Sequence, residues 1–116
     1  PVENWEPDSI CIPLAGIDNS LIPDEFFLSN NYPNPFNPTT SFTFGISSSI
    51  EVNINIYNIL GQKIFSYNNG KLDAGTYEFN WSGIDQIGQQ VTSGIYFYEM
   101  EAGNEFREIK KMTLLK

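Results

Sequence analysis

The chain has 116 residues, of which 41% are hydrophobic and 15% aromatic, enough for one folded domain with a real core and too little for two. Fourteen acids against six bases leave a net charge of −8, which excludes the basic surface that nucleic-acid phosphates demand. There is no histidine, the usual general base and metal ligand, and the single cysteine, Cys11, cannot close an internal disulfide.

Residues 1–30 form an acidic leader: Glu3, Glu6, Asp8, Asp18, Asp24 and Glu25 give −6 with no Lys or Arg, whereas residues 31–116 carry eight acids and six bases, or −2. The chain starts at Pro1 without an initiator methionine or a signal-peptide pattern, which suggests a processed product or the end of something longer. Pro7, Pro13 and Pro23 cut the leader into short pieces. One of them, Ser9 to Ile17 (SICIPLAGI), is too apolar for a passive linker, and Cys11 within it reads as a small hydrophobe. Two readings stand: a linker with local docking, or a segment that binds a sheet edge of this chain or of a neighbour.

The next stretch, Asn31 to Thr40 (NYPNPFNPTT), holds three prolines in ten residues. Each fixes φ and removes a backbone donor, so the segment is an extended or turning arm, never a helix. Asn34 and Asn37 suit turns, and Tyr32 and Phe36 are expected to pack while the backbone between them stays off any central ladder.

From Ser41 onward the periodicity is that of strands. Phe42, Phe44 and Ile46, then Val52, Ile54 and Ile56, then Tyr77, Phe79 and Trp81 alternate with small or polar residues, which predicts three half-buried strands with one wet face each. Ser93 to Met100 (SGIYFYEM) is apolar on both faces, as for a central strand covered on both sides. The last strand begins mixed and ends apolar at Met112, Leu114 and Leu115. Turns are expected at Ile59-Leu60-Gly61-Gln62, at Asp73-Ala74-Gly75 and at Asp85-Gln86-Ile87-Gly88, and Asn69-Gly70 predicts a two-residue hairpin. Six strands at short spacing, plus one near Glu25 to Ser29, make an all-β, immunoglobulin-like antiparallel sandwich of about seven strands over residues 31–116, with an extended N-terminal segment. No run approaches the roughly eighteen apolar residues of a membrane-spanning helix.

The chemistry of catalysis is missing. Without histidine neither a serine triad of the usual kind nor an activated Cys11 can be built, and no zinc spacing, Walker loop, dinucleotide fingerprint or calcium loop occurs. Carboxylate pairs need only two placed acids, but Asp73, Glu78, Asp85, Glu99 and Glu101 fall mostly in turns or on wet faces. The reading is a non-catalytic binding, targeting or structural module without metal or cofactor.

Taken together, YPNPFNPTTSFTF, VNINIYNILGQKI, LDAGTYEFNWSGIDQIGQQVTSGIYFYEMEAG and the closing KKMTLLK resemble the type A C-terminal sorting domain of the type IX secretion system. The same motif order is similar to the immunoglobulin-like domain of flagellar hook-capping proteins. The resemblance covers roughly Phe26 to Lys116. It implies an address label on an exported protein that crosses the periplasm, a label that is read by an outer-membrane translocon and is often removed by a surface sortase-like protease, which places the product outside or on the surface of a Gram-negative-type bacterium. Upstream cargo would precede Pro1.

By the same resemblance, Tyr32, Pro33, Asn34, Pro35, Phe36, Asn37 and Pro38 form the leading motif, and Lys110, Lys111, Met112, Leu114, Leu115 and Lys116 the terminal strand. These two segments are expected to be recognised directly. Asn58, Leu60, Gly61 and Gln62, then Gly75, Trp81, Gly83 and Asp85, then Ser93, Gly94, Tyr96 and Tyr98 match positions that make turns and core. The last thirteen residues are basic, with Arg107, Lys110, Lys111 and Lys116 outnumbering Glu105 and Glu108.

The sequence departs from the pattern at Ser82, Ile84 and Ile87, and two isoleucines in one loop call for a cover, either the leader or another subunit. A second reading is therefore a retained subunit of an extracellular assembly, its leader docked on a neighbour. Asp8-Ser9-Ile10 also resembles a three-residue O-glycosylation site, with Ser9 as acceptor.

Overall fold

Alternation decides which way each strand faces, and the computed structural model, which describes the backbone of Cys11–Pro13 and all of residues 25–116, follows it closely. Eight strands run in order among the described residues: β1 (Cys11–Pro13), β2 (Phe27–Leu28), β3 (Thr40–Ile46), β4 (Ile50–Tyr57), β5 (Lys63–Leu72), β6 (Gly75–Trp81), β7 (Gly94–Ala102) and β8 (Phe106–Leu114). All pairings between them are antiparallel, in one sheet of order β1-β6-β3-β2 and another of order β5-β4-β7-β8. This is an immunoglobulin-like sandwich. None of the described residues lies in a helix, so none forms a helix long and apolar enough to cross a membrane.

The expected inward residues meet between the sheets. Phe42, Phe44, Ile46, Val52, Ile54, Ile56, Tyr77, Phe79 and Trp81 are buried. Phe42 stacks on Tyr98 of the opposite sheet, ring centres 4.3 Å apart, and Phe79 touches Phe42, Phe65 and Tyr67. Aromatic pairs of this kind add directional contacts to the area they bury. Tyr98 also donates its hydroxyl to the Ser29 carbonyl at 2.7 Å, and burial pushes that phenol's pKa well above the usual tyrosine value.

Three expectations are corrected. Asn69-Gly70 makes no hairpin: β5 runs through it, and Asn69 and Gly70 together oppose the single residue Val52, a β-bulge. The positive φ of Gly70, 70°, that would suit a primed turn instead absorbs the extra residue, with Gly70 N–H donating to Asn68 Oδ1 at 2.7 Å. Strand β7 is central in its sheet, but its outer face is buried only around Glu99, and Ile95 and Phe97 are half-exposed. The outer face of β4 is not uniformly wet, since Asn55 is buried there. The backbone of Cys11–Pro13 pairs with Tyr77–Phe79 of β6, so part of the apolar leader segment docks on an edge of its own chain. Ser9 lies outside the described residues.

Candidate recognition site

Phe36 is the anchor from which the site builds. Its side chain, 1% exposed, packs against Trp81 with ring centres 5.9 Å apart, and Trp81 in turn meets Tyr96 edge-on at 5.9 Å. Its backbone joins the final strand: Phe36 N–H donates to the Thr113 carbonyl and Leu115 N–H to the Phe36 carbonyl, both at 2.9 Å. The result is a one-residue parallel bridge, Phe36 to Leu114. Pairing stops there on one side because Pro38, the next residue to face β8, has no N–H to give. Asn34 adds a side-chain link, its Oδ1 accepting from Thr113 N–H at 3.1 Å.

The arm is pinned at its base as well. Tyr32 and Ser41 exchange backbone hydrogen bonds at 2.7 and 2.9 Å. Buried Asn31 donates through Nδ2 to Thr40 Oγ1 at 3.0 Å and to the Pro33 carbonyl at 3.2 Å, while Thr40 Oγ1 donates to the same carbonyl at 2.9 Å. Gly83 lies under the arm, and a Cβ there would come within 3.3 Å of the Pro38 carbonyl oxygen. Lys116 N–H donates to Ser93 Oγ at 3.0 Å, which ties the last residue to the start of β7.

The two segments expected to be recognised therefore form one seam. Tyr32, Pro33, Asn34, Pro35, Asn37 and Pro38 are exposed on its arm side, and Lys111, Leu115 and Lys116 on its strand side. Lys110 is half-buried, its ammonium 3.4 Å from Glu108, and Met112 and Leu114 belong to the core. Tyr32 corrects the expectation that it packs: it is 81% exposed, because its backbone bridge to Ser41 turns the ring outward.

The turns beside the seam share one design that sequence reading had treated as separate pieces. In Asn58-Ile59-Leu60-Gly61-Gln62, Asn58 Oδ1 accepts from the N–H of Leu60 and of Gln62, each at 3.0 Å, and Asn58 N–H donates to the Gln62 carbonyl. In Asp85-Gln86-Ile87-Gly88-Gln89, Asp85 Oδ1 accepts from Ile87 and Gln89 at 3.1 and 2.9 Å, and Asp85 N–H donates to the Gln89 carbonyl. The Asx side chain closes the turn in both. Each displays an apolar residue at the same position, Leu60 at 79% and Ile87 at 77% exposure. No described residue covers Ile87, and Ile84 is half-buried, its carbonyl accepting from Trp81 Nε1 at 2.9 Å. Gly75 and Gly94 open β6 and β7, and Tyr96 donates to the Thr92 carbonyl at 2.6 Å.

On the outer face of the second sheet a buried polar cluster was hidden from sequence reading. Glu99, 1% exposed, accepts from Asn55 Nδ2 at 2.9 Å, from the Tyr57 hydroxyl at 2.7 Å and from Arg107 Nε. Asn55 also donates to Glu101 at 2.9 Å and accepts from Ser66 Oγ at 2.7 Å. Burial alone would raise the Glu99 pKa, but its donors Tyr57, Asn55 and Arg107 outweigh burial and hold it below the ordinary value. Burial and the Glu99 carboxylate push Tyr57 up to about 12. An open groove of about 390 Å³ above the cluster is lined by Tyr57, Gly61, Phe97, Arg107 and Ile109. Among the described residues no group of His, Cys, Asp or Glu could hold a metal ion.

Residues 29–105 match the FlgD Ig-like domain family. The chain belongs to that family. As an FlgD Ig-like domain it is similar in fold to FlgD from P. aeruginosa, with 20% identity and a TM-score of 0.54 over 80% of this chain and 73% of that one. It is also similar in fold to dimeric latent PorU from Porphyromonas gingivalis, with 21% identity and a TM-score of 0.62 over 74% of this chain. A third likeness is to PorZ, an essential bacterial surface component of the type IX secretion system of the same organism, with 17% identity and a TM-score of 0.50 over 80% of this chain. This FlgD Ig-like domain spans about a tenth of those two proteins, 9% of PorU and 12% of PorZ. No curated protein matches the chain by sequence.

Proposed function

We propose that this domain is a non-catalytic sorting label that directs an exported protein across the outer membrane of a Gram-negative-type bacterium to the cell surface. The observation that carries this reading is the seam: the proline arm and the terminal strand, far apart in sequence, are joined by Phe36, Asn34, Thr113 and Leu115 into one exposed ridge. A translocon that reads this ridge tests the fold and the strand β8 together, because the ridge exists only when the sandwich has closed on Phe36. The fold shared with PorZ, a surface component of the type IX system, supports the same reading.

The residues divide the work. Phe36, Trp81, Met112 and Leu114 hold the ridge in place from inside, and Tyr32, Asn34, Leu115 and Lys116 offer the side chains a receptor would meet. Partners under this reading are the outer-membrane translocon and a surface sortase-like protease. The test is a reporter protein fused ahead of the full chain in a bacterium with type IX machinery, with and without Met112–Lys116. Surface export is expected to disappear with the deletion; export at the unaltered level overturns the proposal.

A second reading has its own support. The exposed tips Leu60 and Ile87 suit a domain retained as a subunit of an extracellular assembly. The mass of the surface-recovered polypeptide separates the two: loss of residues through Lys116 fits a removed label, and their retention fits a subunit.

A further inference from the structure

The sheet edges are treated unequally. On β5 two outward groups are met by the second Asx turn, where Ser66 N–H donates to Gln86 Oε1 at 2.7 Å and Gln86 N–H to the Ile64 carbonyl at 2.9 Å. The edge of β8 is met only at its end. Thr113 points both its N–H and its C=O at the arm, and Leu115 its N–H, so the residues of β8 that face away from β7 are the odd-numbered ones. By that alternation Arg107, Ile109 and Lys111 also turn their backbone N–H and C=O outward, and among the described residues nothing pairs with them. All three residues are exposed, Ile109 to 46%. The arm shows that this edge accepts a parallel strand, and it leaves the stretch from Arg107 to Lys111 open because Tyr32 exchanges its backbone bonds with Ser41 instead.

Charge selects the occupant. Arg107 and Lys111 flank Ile109 on the exposed face of the open stretch, while Lys110 pairs with Glu108 on the other face and Arg107 also reaches Glu99, so two antiparallel copies of β8 laid edge to edge would set Arg107 against Lys111. An acidic strand meets the opposite situation, with carboxylates beside Arg107 and Lys111 and an apolar side chain beside Ile109, next to the groove formed with Tyr57 and Phe97. We propose that the edge of β8 from Arg107 to Lys111 is a docking site for an extended, acidic segment of a partner protein, which adds as a further strand to the second sheet. The site shares only Lys111 with the exposed side chains of the seam and does not depend on the export reading.

The test uses the full chain and a short synthetic peptide alternating glutamate with valine, with its lysine-for-glutamate counterpart as control. Backbone amide exchange followed by NMR is expected to slow by about tenfold or more at Arg107, Ile109 and Lys111 with the acidic peptide only, as for newly paired amides. Phe106, Glu108 and Lys110, which face β7, should not change. Ile109→Pro removes an outward N–H while sparing the β7 ladder and is expected to abolish the protection; Lys111→Glu, an exposed change that leaves the fold intact, is expected to weaken it. Equal protection by both peptides, protection at Ile64 to Ser66 instead, no protection at all, or an unaltered response in Lys111→Glu overturns the proposal.

Discussion

Phe36→Ala is expected to destabilise the domain by about 3–5 kcal/mol, a large share of the roughly 5–15 kcal/mol that holds a small domain folded. The ring is almost wholly buried against Trp81, so its removal leaves a cavity that the proline-stiffened arm cannot collapse to fill. The loss should extend beyond the cavity. Without the ring, the two backbone bonds between Phe36 and the final strand lose their anchor, and Thr113 loses its Asn34 partner. Denaturant unfolding measures the first effect, and faster amide exchange at Leu115 and Thr113 the second. A variant as stable as the parent, with those amides still protected, would mean that the arm is held by something other than Phe36.

Asn55→Ala is expected to cost about 2–4 kcal/mol at neutral pH, because it removes donors from a buried ionised carboxylate and strands part of a polar network. Asn55 bridges Glu99 and Glu101 and is itself held by Ser66. Its loss also leaves a pH signature. The Glu99 pKa is held below its ordinary value of 4.5, so the stabilisation it brings is present above that pH and is lost as pH falls through the lowered folded value. Removing one of its donors lets the folded pKa climb, so the gap between parent and variant should be widest near neutrality and narrow below pH 4.5. Tyr57 gives the mirror image at the alkaline end: its pKa is raised from 10.0 to about 12, so its contribution is present below pH 10.0 and fades as pH rises toward about 12. Denaturation midpoints across pH check both ends; a constant gap between parent and variant would contradict the role assigned to Glu99.

The inward faces of β3, β4 and β6 were legible because alternation depends only on neighbours in the chain. Phe42, Val52 and Trp81 could be placed without knowing which strand lay beside them. Asn69-Gly70 failed as a hairpin because the same positive φ serves a bulge, and only the partner strand decides which forms. Glu99 looked like a wet-face acid for a related reason: its burial comes from Asn55 on β4 and Arg107 on β8, a register that the chain itself does not announce. The two Asx turns were visible as Asn58-x-Leu60-Gly61-Gln62 and Asp85-x-Ile87-Gly88-Gln89, but their likeness lies in spacing rather than in identity.

For the candidate site, the sequence marked both strands of the seam but not their union. Phe36 and Leu114 are joined by long-range pairing that no local pattern encodes. Tyr32 went the other way, an aromatic expected to pack that the Ser41 bridge turns outward. These are contacts between distant segments, where the physics of the neighbour overrides the propensity of the residue.

The central claim, that the folded domain is an address read by surface-export machinery, is tested most directly by where it takes a passenger. A periplasmic reporter fused ahead of residues 1–116 should be followed in a type IX-competent strain and in its translocon-null derivative, by protease shaving of intact cells. Surface reporter in the first strain and periplasmic reporter in the second is the predicted result. The same location in both strains, whether surface or periplasm, would contradict the account.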